Sequence, residues 1–261
     1  EFDYWFKQIL EREWQKLSKE IEKKSTKLAD GITDRFSGLG VKVHEVHEIL
    51  QSLGLLTKKP TEWNDSDITK FAQMLRKKIK PMLIAANKAD LCKDLEITNE
   101  IHRNREIVNC SAETELLLKK AAKANLIDYI PGNEKFVINK NVDISPQQKD
   151  ALNLVENILS KLNSTGIQTA LNSAVFRVLK LIVVFPVEDE TKLSNKNGEV
   201  LPDAKLLSEN ATAKNLAETI HQDIAKGFLF AIDAKTKQRI GADHQLKNGD
   251  VIKIVSSLSR G

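Results

Sequence analysis

Residues 81–90 read Pro81-Met82-Leu83-Ile84-Ala85-Ala86-Asn87-Lys88-Ala89-Asp90. A charged helical pattern stops at Pro81, and a short, nearly continuous apolar run leads into a polar loop. Such a run predicts a strand buried on both faces of a parallel sheet. A second apolar run at residues 107–110 predicts a partner strand. Helices are expected between them at 97–103 and after them at 113–124. This alternation argues for an α/β sheet with right-handed crossovers. Ligands bind at the carboxyl ends of parallel strands in open α/β sheets. Asn87, Lys88 and Asp90 after the first strand, and Ser111 and Ala112 after the second, are therefore the candidate site.

Toward the amino end, residues 1–28 read as one amphipathic helix, with Phe2, Trp5, Phe6, Ile9, Leu10, Leu17, Ile21 and Leu28 on one stripe. Gly31, Gly38 and Gly40 are expected to break it. A second helix is expected over 43–53, ending at Gly54, then a loop over 58–65. A third helix is expected to about residue 78, capped by Ser66 or Asp67. Interspersed charges of both signs favour a helical hairpin packed on itself over a membrane-surface helix.

Toward the carboxyl end, residues 139–145 read as a loop. Pro146 opens a helix to Leu162, and another helix is expected over 168–179. From Leu181 the chain becomes β-rich. Strands are expected at 181–187, 228–234 and 250–255, with Asn197-Gly198 as a hairpin turn. Thr212 should cap one helix over 213–225 with Leu216, Ile220 and Ile224 inward. One helix across a small mixed sheet is a β-grasp pattern.

The 261 residues carry 41 % hydrophobic and 29 % charged side chains and a net charge of +4, enough apolar content for cores and too mild a charge for a histone-like binder. Cys92 and Cys110 are too few for a disulfide scaffold or a cysteine zinc site. No apolar run spans a membrane, and no secretion signal is visible. The expectation is a cytoplasmic protein without membrane association. The chain begins with Glu1 inside a helical pattern, which reads as a cut through a longer protein.

The Asn-Lys-x-Asp order suits guanine. The Asp90 carboxylate can accept from both the N1–H and the exocyclic N2 amine, a donor pair that adenine lacks. The Lys88 stem can lie on the purine face, and the Asn87 amide can tie its loop to neighbouring backbone. A small residue at Ala112 lets a backbone N–H approach O6, while Ser111 would hold the turn and support Asp90.

These two elements resemble the base-recognition motifs of translation-factor-class GTPases. Residues 185–190 (Phe-Pro-Val-Glu-Asp-Glu), Asn197-Gly198, Leu201-Pro202-Asp203-Ala204, Ile220-His221, Lys226-Gly227-Phe228 and Asn248-Gly249-Asp250-Val251-Ile252 are similar to the TGS domain of Obg-related GTPases, nearest to the archaeal YchF-type branch. Gly38-Leu39-Gly40 and Glu62-Trp63 resemble the helical insertion of those proteins, and residues 127–132 fit the same branch. The resemblance implies an α-helical insertion (1–79), the carboxyl-terminal part of an α/β P-loop GTPase domain (80–180) and a β-grasp TGS domain (181–261). It implies GTP and GDP as ligands, ribosome or RNA association, and a switch-like role. Relatives that replace the Lys or Asp of the base motif prefer ATP; both Lys88 and Asp90 are intact.

The sequence departs from that family in two motifs. Neither G-x-x-x-x-G-K-[ST] nor D-x-x-G occurs, so the phosphate cradle and the Mg²⁺ ligand that phosphoryl transfer needs are unassigned. No catalytic or metal-binding residue is expected here. Mg²⁺ and GTP hydrolysis are expected only with a further amino-terminal GTPase segment. The alternative is a non-catalytic module that contacts ribosome or protein through the helical and TGS parts.

Other polar features have plainer readings. His44 and His47 lack a third ligand and read as solvated or partly packed helix residues. His221 reads as structural, holding the sheet edge. The run at 76–80 (Arg-Lys-Lys-Ile-Lys) reads as a solvated helix end, and Lys235, Lys237 and Arg239 as a solvated turn. Nothing marks Cys110 as a nucleophile.

Overall fold

The computed structural model describes residues 2–92 and 106–258. It divides into two compact units, Glu1–Met82 and Leu83–Gly261. The expected helix at 97–103 lies outside the described residues.

The first unit is helical: α1 (Phe2–Lys24), α2 (Leu28–Arg35), α3 (Val43–Ser52) and α4 (Asp65–Ile79). The stripe Phe6, Leu10, Trp14, Leu17 and Ile21 of α1 packs into one core with Ile32, Val46, Leu50, Phe71 and Leu75. Each such side chain contributes roughly 1.5–3 kcal/mol by leaving water. Trp14 stacks on Trp63 at 4.3 Å between ring centroids, and Trp63 meets Phe71 edge-on at 5.3 Å. The Trp14 indole N–H donates to the Pro60 carbonyl at 3.2 Å.

Four details of this unit differ from the sequence reading. The first helix ends at Lys24, where Ser25 takes a left-handed φ of 51° and the Thr26 N–H donates to the Ile21 carbonyl. Gly31 sits inside α2 rather than breaking a helix; a Cβ there would lie 2.6 Å from Ile21 Cγ1, so its role is close approach of α2 to α1. The cap of α4 is Asn64, not Ser66 or Asp67. Its side chain accepts from the Asp67 N–H, and the Asp67 carboxylate accepts from the Asn64 N–H, a capping box. Arg76 is buried, with Nε donating to Asp3 and a terminal nitrogen to the Lys80 carbonyl, so this part of the basic run is an internal tie.

The second unit opens with β1 (Leu83–Ala86) and β2 (Glu106–Asn109), paired parallel with Leu83 opposite Glu106 and Ala86 opposite Asn109. Burial on both faces is not observed. Among the described residues β1 pairs with β2 alone, leaving Ile84 half-buried and Ala85 exposed. Next come α5 (Ala112–Lys123), a short antiparallel pair β3 (Ile127–Asp128) and β4 (Val137–Ile138), α6 (Pro146–Leu162) and α7 (Ile167–Asn172). A π-helical turn, Ser173–Val178, continues α7. Leu118, Ile127, Leu152, Val155 and Leu159 form the core here.

The carboxyl-terminal sheet has β5 (Leu181–Pro186), β6 (Lys205–Ser208), β7 (Phe228–Asp233), β8 (Arg239–Ile240) and β9 (Asp250–Ser256) in the order β6-β5-β9-β7-β8. The β5–β9 pair is parallel and the others antiparallel. Helix α8 (Ala213–Ile220), capped by Thr212, buries Ala213 and Leu216 against Ile182, Val184, Leu207, Ala231 and Ile252. This is a β-grasp fold. The single helix expected over 213–225 is two, because His221 is extended at φ −164° and starts α9 (Gln222–Lys226). His221 is exposed, and its Nδ1 accepts the Asp223 N–H at 3.1 Å; it caps a helix rather than holding a sheet edge. Ile220 is exposed accordingly. Asn197-Gly198 does turn the chain, with Gly198 at φ +79°, but isolated bridges flank it instead of long strands. In the turn after β7, Lys237 reaches the Glu190 carbonyl, and the Arg239 guanidinium lies 4.5 Å from the centre of the Phe230 ring. Among the described residues no helix is long and apolar enough to cross a membrane.

Candidate functional site

The parallel pairing brings the two polar loops side by side at one end of β1 and β2. Three hydrogen bonds join them: the Cys110 N–H to the Ala86 carbonyl at 2.9 Å, the Ala89 N–H to the Cys110 carbonyl at 3.0 Å, and the Ala112 N–H to Asn87 Oδ1 at 3.1 Å. Asn87 therefore ties the first loop to the first residue of α5. Lys88 is exposed in the left-handed region, φ 65° and ψ 29°, at the start of the 3-10 turn Ala89–Leu91. Non-glycine residues rarely take this conformation. Here it lets the chain reverse between a buried Ala89 and a half-buried Asp90. The far end of the loop is pinned by Lys161 of α6, whose Nζ donates to the Cys92 carbonyl at 2.6 Å.

Ser111 is buried and caps α5. Its hydroxyl lies 2.7 Å from Thr114 Oγ1 and accepts the Thr114 N–H, so it holds the turn but does not reach Asp90. The Ala112 N–H, which the sequence reading reserves for a base oxygen, already donates to Asn87. Cys110 is fully buried, and burial pushes its thiol pKa up, the opposite of an activated nucleophile.

Sequence reasoning passed over a third wall. The Ser111 N–H donates to the Thr165 carbonyl at 2.8 Å, and Gly166, at φ +76°, lies flat against the end of β2. A Cβ on Gly166 would sit 1.9 Å from the Asn109 carbonyl oxygen, so only glycine fits. Thr165 is fully buried, and its hydroxyl donates to Glu115 Oε2 at 2.5 Å. The Tyr129 hydroxyl donates to the same oxygen at 2.8 Å. Burial, and then the Glu115 carboxylate, raise the Tyr129 pKa. The one sequence signal was a Ser-Thr-Gly between two helical patterns, which reads as a linker.

A concavity of about 890 Å³ lies in the helical unit, lined by Lys27, Asp30, Val43, His44, His47, Glu48 and Leu56 among others. It does not coincide with the paired loops, which are the candidate site by their donors and acceptors rather than by enclosed volume. His44 and His47 are both exposed there. Among the described residues no group of three or more His, Cys, Asp or Glu side chains is placed to hold a metal ion.

Residues 85–189 match the family described as "Obg-like GTPase YGR210-like, G4 motif-containing domain", and residues 198–256 match the TGS domain. The GTP-binding protein MJ1332 of Methanocaldococcus jannaschii is 37 % identical over 260 residues, 98 % of this chain and 65 % of that protein. The crystal structure of a GTP binding protein from Pyrococcus horikoshii OT3 matches with a TM-score of 0.78 at 39 % identity, covering 97 % of this chain and 68 % of that one. The chain thus spans about two thirds of the length of these relatives.

Proposed function

Because the chain belongs to the Obg-like GTPases that join a G4-motif domain to a TGS domain, we propose that its two paired loops read the guanine base of GTP and GDP. Asp90 accepts from N1–H and the N2 amine. The Lys88 stem lies along the purine face. Asn87 holds the second loop in register through the Ala112 N–H, and O6 shares that N–H with Asn87 Oδ1 when the base is bound, with Ser111 fixing the turn. The observation that carries this reading is the Asn87–Ala112 hydrogen bond, because it joins the two motifs at the carboxyl ends of adjacent parallel strands.

GTP hydrolysis belongs, on this reading, to the complete protein, in which a phosphate cradle and Mg²⁺ complete the site. The described residues bring together no group of three or more His, Cys, Asp or Glu side chains that could hold the metal. Ribosome or RNA association is assigned to the β-grasp domain, where Arg239 stacks on Phe230 beside the Lys237 turn.

Calorimetry with GDP and ADP tests the base reading. Each hydrogen bond to a charged group contributes about 1.5–3 kcal/mol, so Asp90→Ala removes about 3–6 kcal/mol from GDP binding and leaves ADP binding unchanged. Equal affinity of the unmodified chain for GDP and ADP would overturn the assignment. Ribosome co-sedimentation that persists with Asp90→Ala and without nucleotide supports the separate role of the β-grasp domain; its loss would contradict it.

A further inference from the structure

Glu115 occupies an unusual position for an acidic side chain on a charged helix. It is 5 % exposed, and its two oxygens are treated unequally. Oε2 accepts from the Thr165 and Tyr129 hydroxyls at 2.5 and 2.8 Å. Among the described residues Oε1 is buried without a hydrogen-bond partner, and Lys119 Nζ lies 3.6 Å from it. Burying a carboxylate with one oxygen bare is costly, and well-packed apolar residues often serve stability equally well. Stability alone is a poor reason to keep the acid here.

The connections of the acid give a better one. A carboxylate only accepts, so both hydroxyls must point their hydrogens at it. That fixes the Thr165 side chain, and the Thr165 carbonyl receives the Ser111 N–H at 2.8 Å. It also fixes the Tyr129 hydroxyl, whose remaining lone pair accepts the Gly132 N–H at 3.3 Å. Three separate segments, at Ser111, Tyr129–Gly132 and Thr165–Gly166, thereby converge on one acid at the first turn of α5. None of the three is adjacent in sequence to another.

Resting on the guanine reading above, we propose that Glu115, with Thr165 and Tyr129, forms a positioning network that sets the O6 side of the base site. It acts through the Thr165 carbonyl on Ser111 and so on the neighbouring Ala112 N–H. It does not touch the nucleotide and does not serve the Asp90 side. The two sides of the base are therefore separately tunable: Asp90 reads N1 and N2, and the buried acid places the Ala112 N–H that O6 shares with Asn87.

Two nucleotide probes separate the sides. Inosine diphosphate lacks only the N2 amine and reports on Asp90. The diphosphate of 6-thioguanosine keeps N1–H and N2 but replaces O6 with larger sulfur, a weaker acceptor, and reports on the α5 amides. Affinities of the 261-residue chain for GDP and both probes are measured by NMR titration. The unmodified chain prefers GDP to the thio analogue by about tenfold, roughly 1.4 kcal/mol. Thr165→Val and Tyr129→Phe each delete one hydroxyl at nearly constant volume, which keeps the test valid if Glu115→Ala fails to fold. In these variants the GDP-to-thio ratio falls toward one while the GDP-to-inosine ratio holds. Glu115→Gln, which keeps an oxygen acceptor for both hydroxyls, retains most of the ratio that Glu115→Ala loses. If both ratios collapse together, or if neither moves, the network is a structural support and the inference fails. If the unmodified chain does not distinguish GDP from ADP, the guanine reading fails, and this inference with it.

Discussion

Replacing Gly166 with alanine strikes the site from behind without touching any residue proposed to meet the base. The new Cβ would lie 1.9 Å from the Asn109 oxygen, 2.9 Å from its carbonyl carbon and 3.0 Å from Cys110 Cα. All three are backbone atoms, so no side chain can rotate away. The residue would also be held at φ +76°, which costs an L-residue about 1–2 kcal/mol. Overpacking adds about 1–3 kcal/mol, so the total is about 2–5 kcal/mol. The strain is relieved by pushing the end of β2 away, which loosens the bonds of Cys110 to Ala86 and Ala89 and that of Ser111 to Thr165. Native-state hydrogen exchange should then show the Ala89, Cys110 and Ser111 amides opening about thirtyfold to a few thousandfold more often. Gly38→Ala is the control, since nothing lies within 4 Å of its added Cβ. Exchange in Gly166→Ala within threefold of the unmodified chain would refute the packing argument.

Other perturbations have equally definite outcomes. Trp63→Ala should cost about 3–5 kcal/mol in urea denaturation. Trp63→Phe should cost clearly less, because the Trp63 indole N–H is buried without a partner among the described residues and its loss forfeits no hydrogen bond there; equal costs would contradict this. Thr212→Ala removes the side-chain acceptor for the Asn215 N–H and should lower β-grasp stability by about 1 kcal/mol in the same assay. Acid should weaken the helical unit. The Thr61 hydroxyl holds the Glu22 carboxyl, and the Lys58 ammonium holds the Asp67 carboxyl, below the usual carboxylate range. A lowered native pKa stabilises the fold above the unfolded value near 4 and is lost as pH falls through the native one. Fluorescence of the buried Trp14–Trp63 pair, followed from pH 5 to pH 2, should report the loss. The double variant Glu22→Gln, Asp67→Asn should flatten that dependence, and an unchanged profile would count against it.

Periodicity and motif spacing made the layout legible from the residues. The apolar run after Pro81 and the helix from Pro146 to Leu162 are written in local pattern, and they stand where that pattern puts them. The misreadings come from tertiary context. Gly31 signals a break in isolation, yet a close contact with Ile21 keeps it helical. His221 sits in an unbroken amphipathic run, and only its extended backbone divides the helix. Arg76 looks like one cation of a solvated cluster until Asp3 and the Lys80 carbonyl are brought to it. The same holds at the site. The Asn87, Lys88, Asp90 and Ser111-Ala112 elements announce themselves by residue type, whereas Glu115 and Thr165 carry no motif. Their meaning depends on contacts 50 residues apart in sequence, which no local pattern encodes.

Chemical-shift mapping of the ¹⁵N-labelled chain with GDP and, separately, ADP is the most direct measurement. GDP should move the amides of Lys88, Asp90 and Ala112 in one saturable process, and ADP should leave them nearly still. Equal shifts with both nucleotides, or shifts confined to the His44–His47 concavity of the helical unit, would contradict guanine reading by the paired loops.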